Sequence, residues 1–133
     1  MIGFVVVTHG ELAAGLIQAA RMIIGELPAV IGVSLKESQG VAELQADVEE
    51  AIRTVDQGQG VLIFVDMIGA SPFNISAQCA AQHQDIEVIS GVNLPMLLET
   101  VLQRDDHSFD ELVLTAIQSG RESIQNLTAL LSK

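Results

Sequence analysis

The chain contains 133 residues with a formal net charge of −11, from 17 acidic and 6 basic side chains, and 49% of its residues are hydrophobic. This length predicts one domain over residues 1–133. The charge argues against nucleic acids and anionic membranes as partners, because their phosphates repel an acidic surface. Cys79 is the only cysteine, which excludes an internal disulfide and every multi-cysteine metal site. We expect its side chain to fill the core.

The apolar runs of the chain have the length of strands, well short of the roughly 20 residues that cross a bilayer. The N-terminal region lacks the basic and apolar segments of a secretory leader. We therefore expect a cytoplasmic protein that does not insert into a membrane. The sequence carries no metal-ligand cluster and no nucleotide-binding glycine motif, so we expect neither a metal ion nor an organic cofactor.

The first half of the chain predicts two pairs, each a strand followed by a helix. Apolar runs at about 2–7 and 30–35 have the length of strands, and apolar residues at helical spacing follow each of them. Gly25 and Pro28 end the first helical segment. The predicted apolar stripes of the two helices consist of Leu12, Leu16, Ala20, Ile23 and Leu27 and of Val41, Leu44, Val48, Ile52 and Val55.

Two more strands follow along the chain. They are predicted at 61–66 and 87–90, and an alanine-rich helix near 73–82 lies between them. Asn93 can cap a short helix that carries Pro95 in its first turn, where the missing amide hydrogen costs little.

The C-terminal region predicts one more helix. It begins at Ser108, because Ser108 and Glu111 have the spacing of a capping box. Gly120 is a candidate interruption of this helix. The pattern of residues 121–133 fits either a continuing helix or an edge strand, and the sequence leaves both open.

Strands that alternate with helices predict an α/β fold with a mainly parallel sheet, right-handed crossovers and helices on both faces. The continuous hydrophobicity of the first and third strands fits burial on both sides. A short chain with four or five strands suits the doubly wound order that begins 2-1-3-4. In that order the first and third strands are neighbours beside the switch point.

A histidine and an aspartate end these two neighbouring strands. His9 follows the first apolar run and Asp66 ends the third, so both emerge at the edge where open α/β folds place their chemistry. A carboxylate bonded to one ring N–H fixes the tautomer, leaves the other nitrogen free to attack phosphorus, and steadies the cation that forms. We predict that His9 accepts a phosphoryl group and that Asp66 orients its ring.

Two loops are predicted to bind the phosphoryl group. Gly10 opens the helix after His9, whose free amides and positive dipole end suit an anion. The loop after Asp66 contains Gly69 and ends at Ser71, which adds amides and a hydroxyl from the opposite wall.

Each candidate also has an ordinary structural interpretation. A histidine at the end of a strand is often only a satisfied polar residue, Asp66 can simply cap a turn, and Ser71 can be a helix N-cap before Pro72. His83 and His107 are predicted surface residues and serve as internal controls. Four loop residues suit either the core or a docking rim for another protein: Met67, Ile68, Pro72 and Phe73.

Three separated segments carry a resemblance to a known family. They are Val7-Thr8-His9-Gly10, then Val65-Asp66 with Gly69-Ala70-Ser71-Pro72-Phe73-Asn74, then Ser90-Gly91-Val92-Asn93-Leu94-Pro95-Met96-Leu97-Leu98-Glu99-Thr100. The similarity continues in order through Arg104-Asp105-Asp106 and Ser108-Phe109-Asp110-Glu111-Leu112 to about Gly120-Arg121-Glu122, which is nearly the whole chain. The chain thereby resembles the mannose-family IIA component of the phosphoenolpyruvate-dependent sugar phosphotransferase system.

This resemblance implies a phosphocarrier and hence a phosphotransferase component. The histidine matching His9 takes a phosphoryl group from the phosphohistidine carrier protein HPr and passes it to a IIB component, which phosphorylates the sugar during import. The aspartate matching Asp66 orients the imidazole, and the serine matching Ser71 lies in the phosphate-receiving loop. The resemblance also implies a homodimer that exchanges a C-terminal strand between its subunits.

Two departures from the family pattern concern its partners. Some relatives continue through an Ala/Pro-rich linker into a fused IIB domain, whereas this chain ends at Lys133, so the expected IIB partner is a separate polypeptide. Some relatives carry Trp and Gly where this loop has Ile68 and Ala70, and an aromatic residue at Glu11. The sugar and the choice of partner therefore stay open.

Three other functions fit parts of the pattern. A regulatory phosphocarrier would use the same His9 chemistry in an incomplete transfer chain. A receiver-like domain phosphorylated on Asp66 would need an acidic Mg²⁺ cluster after the first strand, and Thr8-His9-Gly10 provides none. A flavodoxin-like module for a small molecule is disfavoured because the chain has no Trp, Tyr or phosphate-binding glycine motif.

Overall fold

The computed structural model describes residues 1–132, and four parallel strands form the sheet at its centre. The strands are β1 (Gly3–His9), β2 (Val30–Leu35), β3 (Val61–Val65) and β4 (Ile86–Ile89). Their order is β2-β1-β3-β4, with every neighbouring pair parallel. This order confirms the predicted doubly wound α/β topology.

Helices cover both faces of the sheet. They are α1 (Leu12–Ile24), α2 (Val41–Val55), α3 (Ser71–Ala81), α4 (Leu94–Leu102), α5 (Phe109–Glu122) and α6 (Leu127–Leu131). One core lies between the sheet and α1, α4 and α5, and the other lies between the sheet and α2 and α3. No described helix combines the length and apolar character needed to span a membrane.

The side chains of β1 alternate between the two cores. Phe4 and Val6 point to the α1 face, whereas Val5 and Val7 point to the α2 face, and all four are fully buried. The residues of β3 are buried in the same way, which confirms that the first and third strands lose both faces to the core. Burial on both faces explains their continuous hydrophobicity.

The predicted caps of the later helices are present. The Asn93 side chain accepts the Met96 amide at 2.9 Å, and Ser108 forms the full capping box with Glu111 at the start of α5. Such caps each contribute about 1 kcal/mol. They fix the points at which α4 and α5 begin.

The buried face of α1 differs from the predicted stripe. Leu12 and Ile23 are 48% and 59% exposed, whereas Ala13 and Ile17 are buried. The reason is a close approach to Gly32 in β2, where a Cβ would lie only 2.9 Å from the Ile17 Cδ1 atom. The helix therefore packs through the face that carries Ala13 and Ile17, and Leu12 and Ile23 face solvent.

The C-terminal region answers two points that the sequence left open. Gly120 does not interrupt α5, which continues to Glu122. A Cβ at Gly120 would lie 2.6 Å from Met96, so the glycine serves the contact between α4 and α5. After a short turn the described tail forms α6 and contains no strand, and Lys133 lies outside the described residues.

A buried arginine joins the amino edge of the sheet to the connection between α4 and α5. Arg104 is 5% exposed, donates to the carbonyl of Pro28 at 2.7 Å and to that of Ile2 at 3.4 Å, and stacks 4.9 Å from the centre of the Phe4 ring. Burial lowers the pKa of this guanidinium. Its interactions lie at the edge of the sheet opposite to His9.

Candidate functional site

The parallel pairing of β1 and β3 brings His9 and Asp66 together. The His9 Nδ1 atom lies 2.7 Å from Oδ2 of Asp66, and the same oxygen accepts the backbone N–H of His9 at 2.9 Å. The other carboxylate oxygen accepts the Met67 amide at 2.9 Å. Asp66 therefore holds the ring, the peptide that carries the ring, and the turn after its own strand.

Asp66 is held in its ionised form. Burial alone raises the pKa of its carboxyl group, but the hydrogen bonds from the His9 backbone and ring, the charge of His9 and the Met67 amide together lower that pKa below its ordinary value. An ionised carboxylate can only accept hydrogen bonds. We therefore assign the proton of neutral His9 to Nδ1, which leaves a lone pair on Nε2.

The His9 ring is accessible to a partner. Its side chain is 49% exposed, whereas that of Asp66 is 13% exposed. Among residues 1–132, no group hydrogen bonds to Nε2 of His9. The nitrogen that can act as a nucleophile is thus the unoccupied one.

Gly10 turns the chain from β1 towards α1. It has a φ of +54°, in the left-handed region that favours glycine, although a Cβ at this position would meet no neighbouring atom. Its own amide donates to the Leu35 carbonyl at 2.8 Å, so its contribution to the site is conformational. The following amides, of Glu11 and Leu12, find no acceptor in the described part of the chain.

Thr8 also belongs to this region, although no role of its side chain was predicted from the sequence. Its side chain is fully buried, and Oγ1 accepts the Ala13 amide at 2.8 Å. The available signal was a hydroxyl inside an apolar strand, since a buried hydroxyl requires a partner.

The second loop places Gly69 and Ser71 at the start of α3. Gly69 has a φ of +83°, which a residue with a side chain rarely adopts. Ala70 occupies the N-cap position and Ser71 is the first residue of the helix, so the interpretation of Ser71 as an N-cap is wrong. The Ser71 hydroxyl is not bonded to any described residue. It is therefore available to a ligand.

The apolar residues of this loop divide between core and surface. Pro72 is buried and Phe73 packs against the core under α3, whereas Met67 and Ile68 are 54% and 69% exposed. Leu12, on the other side of His9, is also exposed. We call Leu12, Met67 and Ile68 the apolar rim.

The two control histidines lie outside this region. His83 has Nε2 3.0 Å from a carboxylate oxygen of Glu49, and His107 has Nε2 2.6 Å from the Gln103 side-chain oxygen. Cys79 is fully buried, as predicted, and burial together with Glu49 raises the pKa of its thiol to about 12. Residues 1–132 contain no group of three or more His, Cys, Asp or Glu side chains that could hold a metal ion.

Comparisons with known proteins agree with this architecture. The family described as PTS system fructose IIA component, where PTS is the phosphotransferase system, matches residues 3–117. The chain is 39% identical over 129 residues to the PTS system mannose-specific EIIAB component of Escherichia coli K12, covering 96% of this chain and 40% of that protein. It is 29% identical over 133 residues to the PTS system fructose-specific EIIA component of Bacillus subtilis, covering 100% and 91%.

A solved structure shows the same fold. The phosphotransferase system component EIIA from Streptococcus agalactiae has a TM-score of 0.90 at 28% identity, covering 97% of this chain and 99% of that one. The chain spans only about 40% of the length of its mannose-specific relative. The family match covers most of the chain, including both strand ends described above. The chain belongs to the mannose-family IIA components of the phosphotransferase system.

Proposed function

We propose that this protein is a phosphohistidine carrier in sugar uptake. His9 accepts a phosphoryl group from HPr and passes it to a IIB component. The observation that carries the proposal is the 2.7 Å contact between His9 Nδ1 and Asp66 on a half-exposed ring. This contact fixes the tautomer that leaves Nε2 as the nucleophile.

The transfer step needs no external acid or base. The Nε2 lone pair of His9 attacks the phosphorus of the donor phosphohistidine and forms a new N–P bond. The donor N–P bond breaks, and its electron pair returns to the donor ring. The Nδ1 proton stays on His9, and Asp66 stabilises the positive charge that spreads over the ring as the new bond forms. In the transfer to IIB, a nucleophile of IIB attacks the phosphorus, the bond between Nε2 of His9 and phosphorus breaks, and its electron pair returns to the His9 ring.

The phosphoryl oxygens are proposed to bind neutral donors. The amides of Glu11 and Leu12 open α1, and a helix N-terminus contributes about 0.3–1 kcal/mol to an anion. Gly69 shapes the opposite loop, and the Ser71 hydroxyl starts α3. These donors would hold the phosphoryl oxygens while the half-exposed ring of His9 keeps its bond to phosphorus.

The proposed partners dock at the apolar rim around His9. Its three residues are each about half exposed or more, and exposed apolar side chains beside a polar site are typical of protein interfaces. We also propose that the protein works in the cytoplasm, as its sequence predicts.

We also propose a homodimer, as the family resemblance implies. The outer edge of β4 borders a cavity of about 430 Å³ between the sheet and α5, and Ile124 at its rim is 79% exposed. Sedimentation velocity tests this proposal: a dimer is expected at micromolar concentration, and a monomer at every concentration contradicts it.

The test of the carrier function is intact-mass analysis with phosphoenolpyruvate, enzyme I and HPr. The wild type is expected to gain one acid-labile phosphoryl group, and His9→Ala none. His83→Ala and His107→Ala are matched controls that retain the modification, because both rings lie outside the site. Phosphorylation of His9→Ala, or none on the wild type with active donors, contradicts the proposal. Transfer onward to a IIB protein separates a transport role from a regulatory one.

A further inference from the structure

We propose that Thr8 is a positioning residue for phosphoryl transfer at His9. Its buried hydroxyl fixes the first turn of α1 relative to the His9 ring. The inference rests on the proposed carrier function. It assigns a role to a residue whose side chain hydrogen bonds to the Ala13 amide, and not to the His9 ring or to Asp66.

The evidence is a single buried hydrogen bond between β1 and α1. Thr8 and Ala13 are both 0% exposed, and the Thr8 Oγ1 atom accepts the Ala13 amide at 2.8 Å. The backbone bonds of the helix start are formed only from Gly15, whose amide donates to the Glu11 carbonyl at 3.0 Å. The Thr8 side chain therefore replaces a backbone acceptor at a point that solvent does not reach.

The same peptide holds both parts of the site. On one side, the His9 amide donates to Asp66, which also holds the ring. On the other side, the Thr8 hydroxyl holds α1, whose Glu11 and Leu12 amides are the proposed phosphoryl donors. Asp66 thus orients the nucleophile, and Thr8 orients the Glu11 and Leu12 amides that are proposed to bind the phosphoryl oxygens.

A small displacement between these parts is expected to slow transfer. A shift of about 1 Å between a nucleophile and its catalytic surroundings can cost about 100-fold in rate. Gly10 also holds the turn, through its bond to Leu35, so the loss of Thr8 alone leaves part of the constraint in place. We therefore expect a rate loss of about 10-fold or more, below that upper figure.

The experiment compares Thr8→Val with a matched control. Thr8→Val keeps the side-chain shape and removes the acceptor. Thr100→Val removes another fully buried threonine hydroxyl, which donates to the Met96 carbonyl in α4. Single-turnover transfer from phosphorylated HPr is measured at saturating and subsaturating donor, alongside the thermal midpoint and deuterium exchange of the Ala13 amide.

We expect Thr8→Val to lower the rate at saturating donor by about 10-fold with little change in half-saturation, and to speed exchange of the Ala13 amide. Thr8→Ser, which restores the acceptor, should recover the rate. Thr100→Val should lower the thermal midpoint without slowing transfer. If Thr8→Val does not fold, Thr8→Cys, with a weak sulfur acceptor, should give an intermediate rate.

Equal rates for Thr8→Val and the wild type overturn the inference. Equal slowing by Thr8→Val and Thr100→Val also overturns it, because the effect would then follow stability alone. A Thr8→Cys rate equal to that of the wild type also overturns the inference. A wild-type protein that accepts no phosphoryl group refutes the carrier function itself, and that failure is visible before any variant is compared.

Discussion

Replacing Asp66 with asparagine keeps the shape of the side chain and removes its charge. The carboxylate accepts three hydrogen bonds, two from His9 at one oxygen and one from the Met67 amide at the other. An asparagine has one acceptor oxygen and one NH₂ donor. The orientation that loses least keeps the oxygen on His9 and turns the NH₂ group towards the Met67 amide. The variant therefore holds the ring at the cost of one donor–donor contact.

The kinetic effect comes mainly from the missing charge. Two unit charges about 4 Å apart attract by about 4 kcal/mol at the effective dielectric of a protein surface. The His9 side chain is 49% exposed, so solvent screens part of this attraction when the imidazolium forms. We expect a loss near 2.7 kcal/mol, or about 100-fold in rate at 1.36 kcal/mol per factor of ten. This value lies at the lower end for the removal of one group that stabilises a developing charge.

The assay is single-turnover transfer from phosphorylated HPr, followed by rapid quench. Asp66→Asn should be slower by about 100-fold but still reach one phosphoryl group per chain. Glu49→Gln is the matched control, because it removes the carboxylate of the other histidine pair, at His83. A wild-type rate for Asp66→Asn would reduce Asp66 to a residue that caps the turn before Met67. A folded variant that transfers nothing would show that Asp66 does more than orient and stabilise the ring.

Three further outcomes follow from buried or shifted groups. The Ser76 hydroxyl is buried without a partner among residues 1–132, so Ser76→Ala should raise the free energy of unfolding by about 1 kcal/mol in urea titration, and a decrease would contradict this. Cys79, with its pKa raised to about 12, should resist iodoacetamide at pH 8 until urea unfolds the chain, whereas rapid native labelling would contradict its burial. Because folding lowers the pKa of Asp66, its stabilisation is fully present above the ordinary value of 3.8 and is lost as pH falls through the folded value. The wild type should therefore lose more stability than Asp66→Asn below about pH 4, and parallel pH profiles would contradict this.

The strand order and the meeting of two strand ends could be predicted because few alternatives exist. Alternating strands and helices require parallel neighbours and right-handed crossovers, and two doubly wound orders are common. Once β1 and β3 are neighbours, residues that end these strands must lie at one edge. Topology thus explains why His9 and Asp66 lie at the same edge, where the structure places the His9 Nδ1 atom 2.7 Å from Oδ2 of Asp66. The caps at Asn93 and Ser108 were predictable for a different reason, since they depend on residues only three apart.

The features that could not be predicted depend on distances between elements. Helical spacing does not reveal that Gly32 lets α1 approach β2, so the larger Leu12 and Ile23 were assigned to the buried stripe. Gly120 has the local character of a helix breaker, and only its contact with Met96 explains why α5 continues. In both places a glycine permits close packing.

The hydrogen-bond donors proposed for the phosphoryl group, which are backbone amides and a hydroxyl, suit a carrier that must release this group. In the described chain, no lysine or arginine side chain hydrogen bonds to His9, to Asp66 or to residues 67–74. The buried Arg104 is occupied by carbonyls at the opposite edge of the sheet. Charge-assisted hydrogen bonds are roughly twice as strong as neutral ones, so an arginine in the loop would hold the phosphoryl group more tightly than amides do. Because the phosphorylated carrier is the intermediate between the two proposed transfers, tight binding of its phosphoryl group would slow the second transfer as much as it favoured the first. The proposed amide and hydroxyl donors would orient the phosphoryl group and still allow its release to the next protein of the transfer sequence.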